Sequence, residues 1–439
     1  MKIFWFIIYN IFVIPIIYIG AYVAALFSPK VKQGLHGRKN SLPILSSYIS
    51  DQQNKKKCIL FHCASMGEFE QIRPVLRTIR EKKSDYSIVV SFFSPSGFEN
   101  VNSKSDYNLK IYLPFDTIPS IRKFLNMLKP KLLVISKHDV WPNLVWALSS
   151  RKIPSMLVNG TMPGDSKMTM PLVRNFFKAS FSSINFIAPA SQFDADGFSR
   201  ILPVKSGIQI LGDTRYDQVL NRANESTKSE LISEQALQGR MVFVAGSTWA
   251  SDEKHLIPAL IQMFKKFTDL FVILVPHELK ENHLNELASQ FSSAGIRPIL
   301  FSYEKRDQEL SNHQILIVDK MGLLANLYFY GDVAFVGGSF GPGVHNVMEP
   351  AAHGIPVLFG PRILNSPDAL ELQKREAGFL VRNSDDIYFH LCEFFSNRNS
   401  CKEAGKRARN LVEENQGATE RISQKILTML ESTELNNPL

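Results

Sequence analysis

The stretch Val333-Ala334-Phe335-Val336-Gly337-Gly338-Ser339-Phe340-Gly341-Pro342-Gly343-Val344-His345-Asn346-Val347-Met348-Glu349-Pro350 decides how the rest of the chain is read. An apolar run enters a loop with four glycines, and the loop empties into Asn346-x-x-Glu349 followed by small residues. That order predicts a strand, a phosphate loop and a helix start. Glycines let the backbone approach a ligand, and the free N–H groups and positive dipole end of a first helical turn favour an anion. Glu349, one turn in, can accept hydrogen bonds from vicinal ribose hydroxyls, while Asn346 caps the helix or touches the ligand. A glycine-rich turn with an Asn cap and a first-turn Glu needs no ligand, and the local pattern does not separate the two.

Around this loop the chain alternates short apolar runs with helical stretches. Runs at 242–245, 270–275, 315–318, 333–336 and 356–359 form one series, and runs at 58–62, 88–93, 132–135 and 156–158 form an earlier one. Strands of this kind, separated by helices, predict α/β architecture with parallel, doubly wound sheets covered on both faces. At 439 residues the chain suits two domains rather than one core. The expectation is an N-terminal transmembrane anchor at 1–29 and two Rossmann-like domains, 30–210 and 211–439, facing across a cleft, with ligands beyond the carboxyl ends of the strands. Residues 34–56 read as a polar linker, 221–239 as a polar break between the halves, and the charged helical tail from Cys401 onward as a segment able to cross back onto the first domain.

Residues 3–29 carry no charge and are long enough to span a bilayer as a helix. Lys30, Lys32, Arg38 and Lys39 follow at once, so the positive-inside rule places the body in the cytoplasm behind a single-pass anchor. A net charge of +9 suits attraction to anionic lipid headgroups. Nucleic acid is ranked low as a partner, because no binding motif occurs and the charge is spread through the chain. Cys58, Cys63, Cys392 and Cys401 lack zinc-type pairing and suit reduced cytoplasmic thiols.

Several strand ends carry polar or glycine-bearing loops. The first strand empties into Ala64-Ser65-Met66-Gly67-Glu68, followed by Phe69, Ile72, Val75, Leu76 and Ile79 at helical spacing. Glu68 therefore starts a helix at the rim, where a carboxylate can act as a general base. Ser65-x-x-Glu68 is also a capping box, and by spacing alone the cap is the commoner use of the pattern. Pro74 is expected to bend or loosen that helix. Lys137-His138-Asp139-Val140-Trp141-Pro142-Asn143 is either a substrate loop or a helix entry with Pro142 in first position. Gly246-Ser247-Thr248-Trp249 before Asp252-Glu253 is a second possible anion site. Val275-Pro276-His277-Glu278 and Asp319-Lys320-Met321-Gly322-Leu323 end two further strands. Five such loops at one rim favour a ligand cleft.

These motifs resemble those of the 3-deoxy-D-manno-octulosonic acid (Kdo) transferases, membrane-anchored glycosyltransferases of the GT-B type. The matching pieces are Ser65-Met66-Gly67-Glu68, Leu113-Pro114-Phe115-Asp116, Trp141-Pro142-Asn143, Gly246-Ser247-Thr248, Met321-Gly322, Phe335 through Ser339, His345-Asn346-x-x-Glu349-Pro350 and Gly360-Pro361 with Asn365. They cover nearly the whole chain in order. The resemblance implies inverting transfer of Kdo from CMP-Kdo onto a hydroxyl of the lipid A precursor (lipid IVA), with Glu68 as catalytic base. It implies a CMP pocket at Pro276, His277, Met321, Gly322, Leu323, Asn346, Val347, Met348 and Glu349. Ser247 and Thr248 join these as phosphate contacts, through the turn they form. The chain departs from the family where Lys137-His138-Asp139 replaces Glu-Thr-Glu, where Asn159-Gly160-Thr161 replaces Asn-Ala-Arg, and where Pro276-His277-Glu278 shortens Pro-Arg-His-Pro-Glu. Lys137 and Asp139 are accordingly the expected acceptor contacts, with altered acceptor preference at Lys137.

No Asp-x-Asp motif stands out, and a monophosphate leaving group held by dipoles does not demand a cation, so neither metal nor other cofactor is expected. The competing readings are a GT-B transferase using another nucleotide sugar and lipid-linked acceptor, and an inactive GT-B scaffold, against which Glu68 and Glu349 argue. An NAD-dependent oxidoreductase is disfavoured because no Gly-x-Gly-x-x-Gly follows the first strand of either half.

Overall fold

The computed structural model describes residues 2–51, 56–102, 105–162, 168, 170–202, 207–226, 231–303 and 305–436. The chain forms two compact units, one of Met1–Gln218 with Gln416–Leu439 and one of Val219–Asn415.

The first unit is built on a six-stranded parallel sheet of β1 (Lys57–Cys63), β2 (Tyr86–Phe92), β3 (Leu109–Tyr112), β4 (Leu132–Ser136), β5 (Ser155–Gly160) and β6 (Phe186–Pro189). Its order is β3-β2-β1-β4-β5-β6. Strand alternation divides β1 between two cores: Cys58 and Leu60 enter one, Ile59, Phe61 and Cys63 the other. The second core is covered by the Glu68 helix (Met66–Lys82), through the expected Phe69, Ile72, Val75, Leu76 and Ile79. Pro74 lies inside that helix without ending it, costing one backbone hydrogen bond and not continuity.

The second unit holds seven parallel strands: β7 (Met241–Thr248), β8 (Leu270–Pro276), β9 (Pro298–Leu300), β10 (Ile315–Ile317), β11 (Val333–Val336), β12 (Val357–Phe359) and β13 (Gly378–Leu380). Their order is β13-β12-β11-β7-β8-β10-β9. Again β7 feeds two cores, with Phe243 and Ala245 on one face and Val242 and Val244 on the other.

All of the apolar runs expected as strands are strands. The four not anticipated, β3, β6, β9 and β13, are the outer strands of the two sheets.

The division of the chain differs from the expected boundary at 210. Residues 211–218 belong to the first unit, where Gln71 donates to Asp213 at 2.7 Å and Asn159 to the Thr214 hydroxyl at 2.9 Å. Of the charged tail, the helix Arg398–Glu414 stays with the second unit. The final helix (Ala418–Asn436) packs Ile422, Ile426 and Leu430 on the core beneath the Glu68 helix. The expected polar linker is a helix, Pro29–Asp51, because Gly34, Leu35, Ser41 and Leu45 recur on one buried face; residues 52–55 of that stretch lie outside the described residues.

The N-terminal helix, Lys2–Phe27, is long and apolar enough to cross a membrane by length and composition. It does not stand free of the first unit. Tyr9 and Ile14 are buried in the same core as Leu60, the Tyr9 hydroxyl donates to Asp116 at 2.9 Å, and Asn10 exchanges hydrogen bonds with Asn143 at 3.0 and 2.8 Å.

Candidate active site

In a doubly wound sheet, ligands bind beyond the carboxyl ends of the two neighbouring strands at which the direction of winding reverses. In the first unit that point lies between β1 and β4, in the second between β7 and β11. The carboxyl ends of these four strands lead to Glu68 in the helix after β1, to Lys137 with Asp139 after β4, to Ser247 and Thr248 as the last residues of β7, and to the stretch Gly337 to Glu349 after β11.

After β1, Ala64 and Ser65 turn into the Glu68 helix. The expected capping box is not made: Ser65 is the N-cap but its hydroxyl caps nothing, and the Glu68 carboxylate instead accepts from the Ala64 N–H at 2.5 Å. Glu68 is buried, and burial raises its pKa. The Ala64 N–H opposes that rise, nearby Asp139 reinforces it, and Lys137 and His62 oppose it. The result is a carboxylate more basic than a solvated one, which is what proton abstraction from a hydroxyl asks for.

Asp139 sits beside it in a polar cluster. His62, the penultimate residue of β1, is held between the Ser91 hydroxyl at Nδ1 and Asp139 Oδ2 at Nε2, both at 2.9 Å. Burial alone would raise the Asp139 pKa, but the hydrogen bond and charge of His62 outweigh it, with help from the Trp141 indole and His138, so the net shift is downward. Asp139 therefore stays ionised while Glu68 is eased toward its protonated form. Lys137 takes a left-handed backbone conformation, φ 61°, as β4 ends, and its N–H bonds the Val158 carbonyl at 2.9 Å. Trp141 stacks on Phe93 with ring centroids 4.9 Å apart, and Pro142 opens the rim helix Pro142–Ser150. The free amides of Asn143 and Leu144 at that helix start are taken by buried Asp116, at 2.9 and 3.0 Å. Thus 137–143 is at once a polar rim loop and a helix entry. Asn159 is turned inward to Thr214, and of the changed segment only Thr161 reaches the rim side, 3.4 Å from His138.

In the second unit the glycine loop is closed by the protein itself. Buried Asp252 accepts from Gly338 N at 2.8 Å, Phe340 N at 3.0 Å and Trp249 N at 2.9 Å. Gly341 and Gly343 both donate to the Gly338 carbonyl, and His345 N donates to Gly337 O. The amides expected to cradle a phosphate are therefore largely occupied, and an internal carboxylate holds the anion's place. The glycines serve close packing: a Cβ on Gly337 would lie 2.2 Å from the Ser247 carbonyl. The helix that follows, Met348–Ala352, is a single turn, with Asn346 Oδ1 capping Met348 N at 3.1 Å and its amide donating to Glu349 at 3.2 Å. Burial raises the Glu349 pKa, against Arg222 and Asn346.

The remaining expected residues converge on this end of the sheet. His277 N donates to the Thr248 carbonyl at 2.8 Å, and the Thr248 hydroxyl donates to Glu253 at 2.8 Å. Pro276 ends β8, and Leu323 precedes the short helix Leu324–Leu327. Gly322 has φ 84°, a turn that glycine accommodates, and Met321 is 87% exposed. One feature escaped sequence reading: the rings of Trp249 and His277 stack at 4.4 Å, those of His277 and His345 at 4.8 Å, and Trp249 Nε1 donates to His345 Nε2 at 2.8 Å. That bond leaves the proton of neutral His345 on Nδ1, and burial beside His277 lowers its pKa. His62 was likewise missed; a histidine inside an otherwise apolar strand was the available signal. Among the described residues, no three His, Cys, Asp or Glu side chains are grouped to hold a metal ion.

The family model of the 3-deoxy-D-manno-octulosonic acid transferases matches residues 41–218. The chain is 28% identical over 382 residues to the 3-deoxy-D-manno-octulosonic acid transferase of Haemophilus influenzae, covering 85% of this chain and 87% of that protein. It is 31% identical over 311 residues to a probable mitochondrial 3-deoxy-D-manno-octulosonic acid transferase of Arabidopsis thaliana, covering 69% and 68%. In fold it is similar to UDP-GlcNAc 2-epimerase from Neisseria meningitidis solved with UDP-GlcNAc, with a TM-score of 0.57, 13% identity and coverage of 85% of this chain and 100% of that one. With two doubly wound domains of the GT-B type, Glu68 at the switch point of one and this extent of similarity, the chain belongs to the 3-deoxy-D-manno-octulosonic acid transferase family.

Proposed function

We propose that this protein is an inverting glycosyltransferase that moves Kdo from CMP-Kdo to a hydroxyl of the lipid A precursor in lipopolysaccharide biosynthesis. The observation that carries the reading is Glu68: a buried carboxylate of raised pKa at a switch point, beside an ionised Asp139. Glu68 takes the proton of the acceptor hydroxyl, the hydroxyl oxygen bonds to the anomeric carbon of Kdo from the face opposite the phosphate, and the carbon–oxygen bond to CMP breaks with its electron pair leaving on the phosphate. Lys137 and Asp139 contact the acceptor. CMP is held by the second unit through Ser247, Thr248, Pro276, His277, Met321, Gly322, Leu323 and Asn346 to Glu349, with Glu349 on the ribose hydroxyls.

Because Asp252 engages the Gly338 and Phe340 amides, phosphate recognition falls to side chains and to the end of β7 at Ser247 more than to that loop. No metal is required in this scheme. The acceptor is an anionic lipid, which suits attachment of the apolar N-terminal segment and its basic flank to the cytoplasmic face of the inner membrane. The test is transfer from CMP-Kdo, in detergent, to a tetraacylated lipid A precursor, with and without chelator and beside UDP-sugars as donors. Transfer from CMP-Kdo alone, indifferent to chelator, is expected; transfer only from a UDP-sugar would replace the donor.

A further inference from the structure

We propose that the N-terminal helix lies along the membrane surface as one wall of the first unit and does not cross the bilayer. The inference rests on the membrane attachment proposed above and replaces the single-pass geometry expected from sequence.

Crossing takes about 20 residues free of protein, or about 30 Å of helix. Lys2–Phe27 has the length, yet Trp5 meets Phe176 at 5.7 Å between ring centroids and Tyr18 meets Phe115 at 4.9 Å. From 5 to 18, about 20 Å of helix is therefore fastened to the folded unit. Only 19–27 remain, about 13 Å, which is less than half a bilayer core. Swinging the helix out would also strip the Tyr9 hydroxyl from Asp116 and the Asn10 amide from Asn143, leaving polar groups unsatisfied in hydrocarbon on one side and a buried carboxylate short of a donor on the other. A π-helical turn over Tyr9–Val13 falls at this contact.

Among the described residues, the opposite face has no protein partner, and it is apolar along its whole length: Ile3 is 76% exposed, Ile16 69% and Leu26 79%, with Ile7, Ile11, Phe12 and Val23 between them. A helix bound on one side and apolar on the other fits the headgroup–acyl boundary of a bilayer. Lys2 stands at one end, and Lys30, Lys32 and Lys39 beyond the other, as anionic lipid would have it. Beside the helix, Tyr18, Ile19, Tyr22, Leu35, Leu42 and Phe115 line a groove of about 640 Å³, rimmed by Arg38 and Lys39 and open to the same hydrocarbon.

The two geometries put the amino terminus on opposite sides of the membrane. The full chain is given a short hydrophilic N-terminal tag with a protease site and placed in the inner membrane of a Gram-negative host; Lys2→Cys, probed with a membrane-impermeant maleimide against the natural protein as background, is the untagged control. Cleavage and labelling only in inverted vesicles are expected. Cleavage only in spheroplasts would overturn the in-plane helix while leaving attachment intact, and recovery of the chain in the soluble fraction would overturn both.

Discussion

Glu68 is tuned by neighbours that pull in opposite directions, and each can be removed separately. Lys137 holds its pKa down and Asp139 pushes it up. As the proposed base, Glu68 works ionised, so the rate should fall as pH drops through its pKa. Lys137→Met should move that acid limb to higher pH and Asp139→Asn to lower pH, read as kcat/KM profiles. Shifts in the same direction would mean that the two residues act on something other than this carboxylate. The sequence made Glu68 legible through its place at a strand end followed by helical spacing. What it could not supply was the choice between cap and base, because Ser65-x-x-Glu68 satisfies both; the carboxylate settles on Ala64 N, one residue beyond the capping position. Nor could it supply Asp252 as the tenant of the glycine loop, since that carboxylate reaches amides 86 and 88 residues away.

At the scale of elements, the apolar runs gave the inner strands and missed the outer ones. An inner strand is buried on both faces and reads as a continuous apolar run, whereas β3 and β13 are only part-buried, and the short β6 and β9 each carry a proline at one end. Two devices that fix the rim elements make their own predictions. Asp252→Ala leaves three backbone N–H groups without their acceptor, so it should destabilise the protein by about 3 kcal/mol or more and loosen CMP binding, with Asp252→Asn milder because one oxygen remains; urea titration and calorimetry measure both. Asp116, capping the rim helix from a fully buried position, has its pKa pushed up to about 7 by burial, against the donors Asn143, Tyr9 and Leu144. A folded-state pKa raised above the unfolded value of about 3.9 stabilises at low pH and loses that contribution as pH rises toward 7. The natural protein should therefore lose stability relative to Asp116→Asn between pH 5 and 7, on the order of 1 kcal/mol per unit. An equal pH dependence in the two proteins would show that Asp116 is ionised throughout.

For the whole molecule, the sequence announced two doubly wound domains but not how the chain is shared between them. The first unit is completed by the last helix, whose Glu420 pairs with Lys82 at 2.7 Å and whose Glu434 accepts from the Tyr86 hydroxyl at 2.8 Å. Such pairing of distant segments leaves no local mark in the sequence. In the proposed mechanism the same division separates the two tasks of catalysis, with Glu68 in one compact unit and the expected CMP residues in the other. A change at Glu68 should then remove chemistry while leaving nucleotide binding alone. The measurement that tests this most directly is transfer from CMP-Kdo to the lipid A precursor by Glu68→Gln, beside CMP binding by calorimetry on the same preparation. A loss of roughly 10²-fold or more in kcat with unchanged CMP affinity is predicted. Transfer at the natural rate would contradict the assignment of Glu68 as the base, and lost CMP affinity would contradict the separation of tasks.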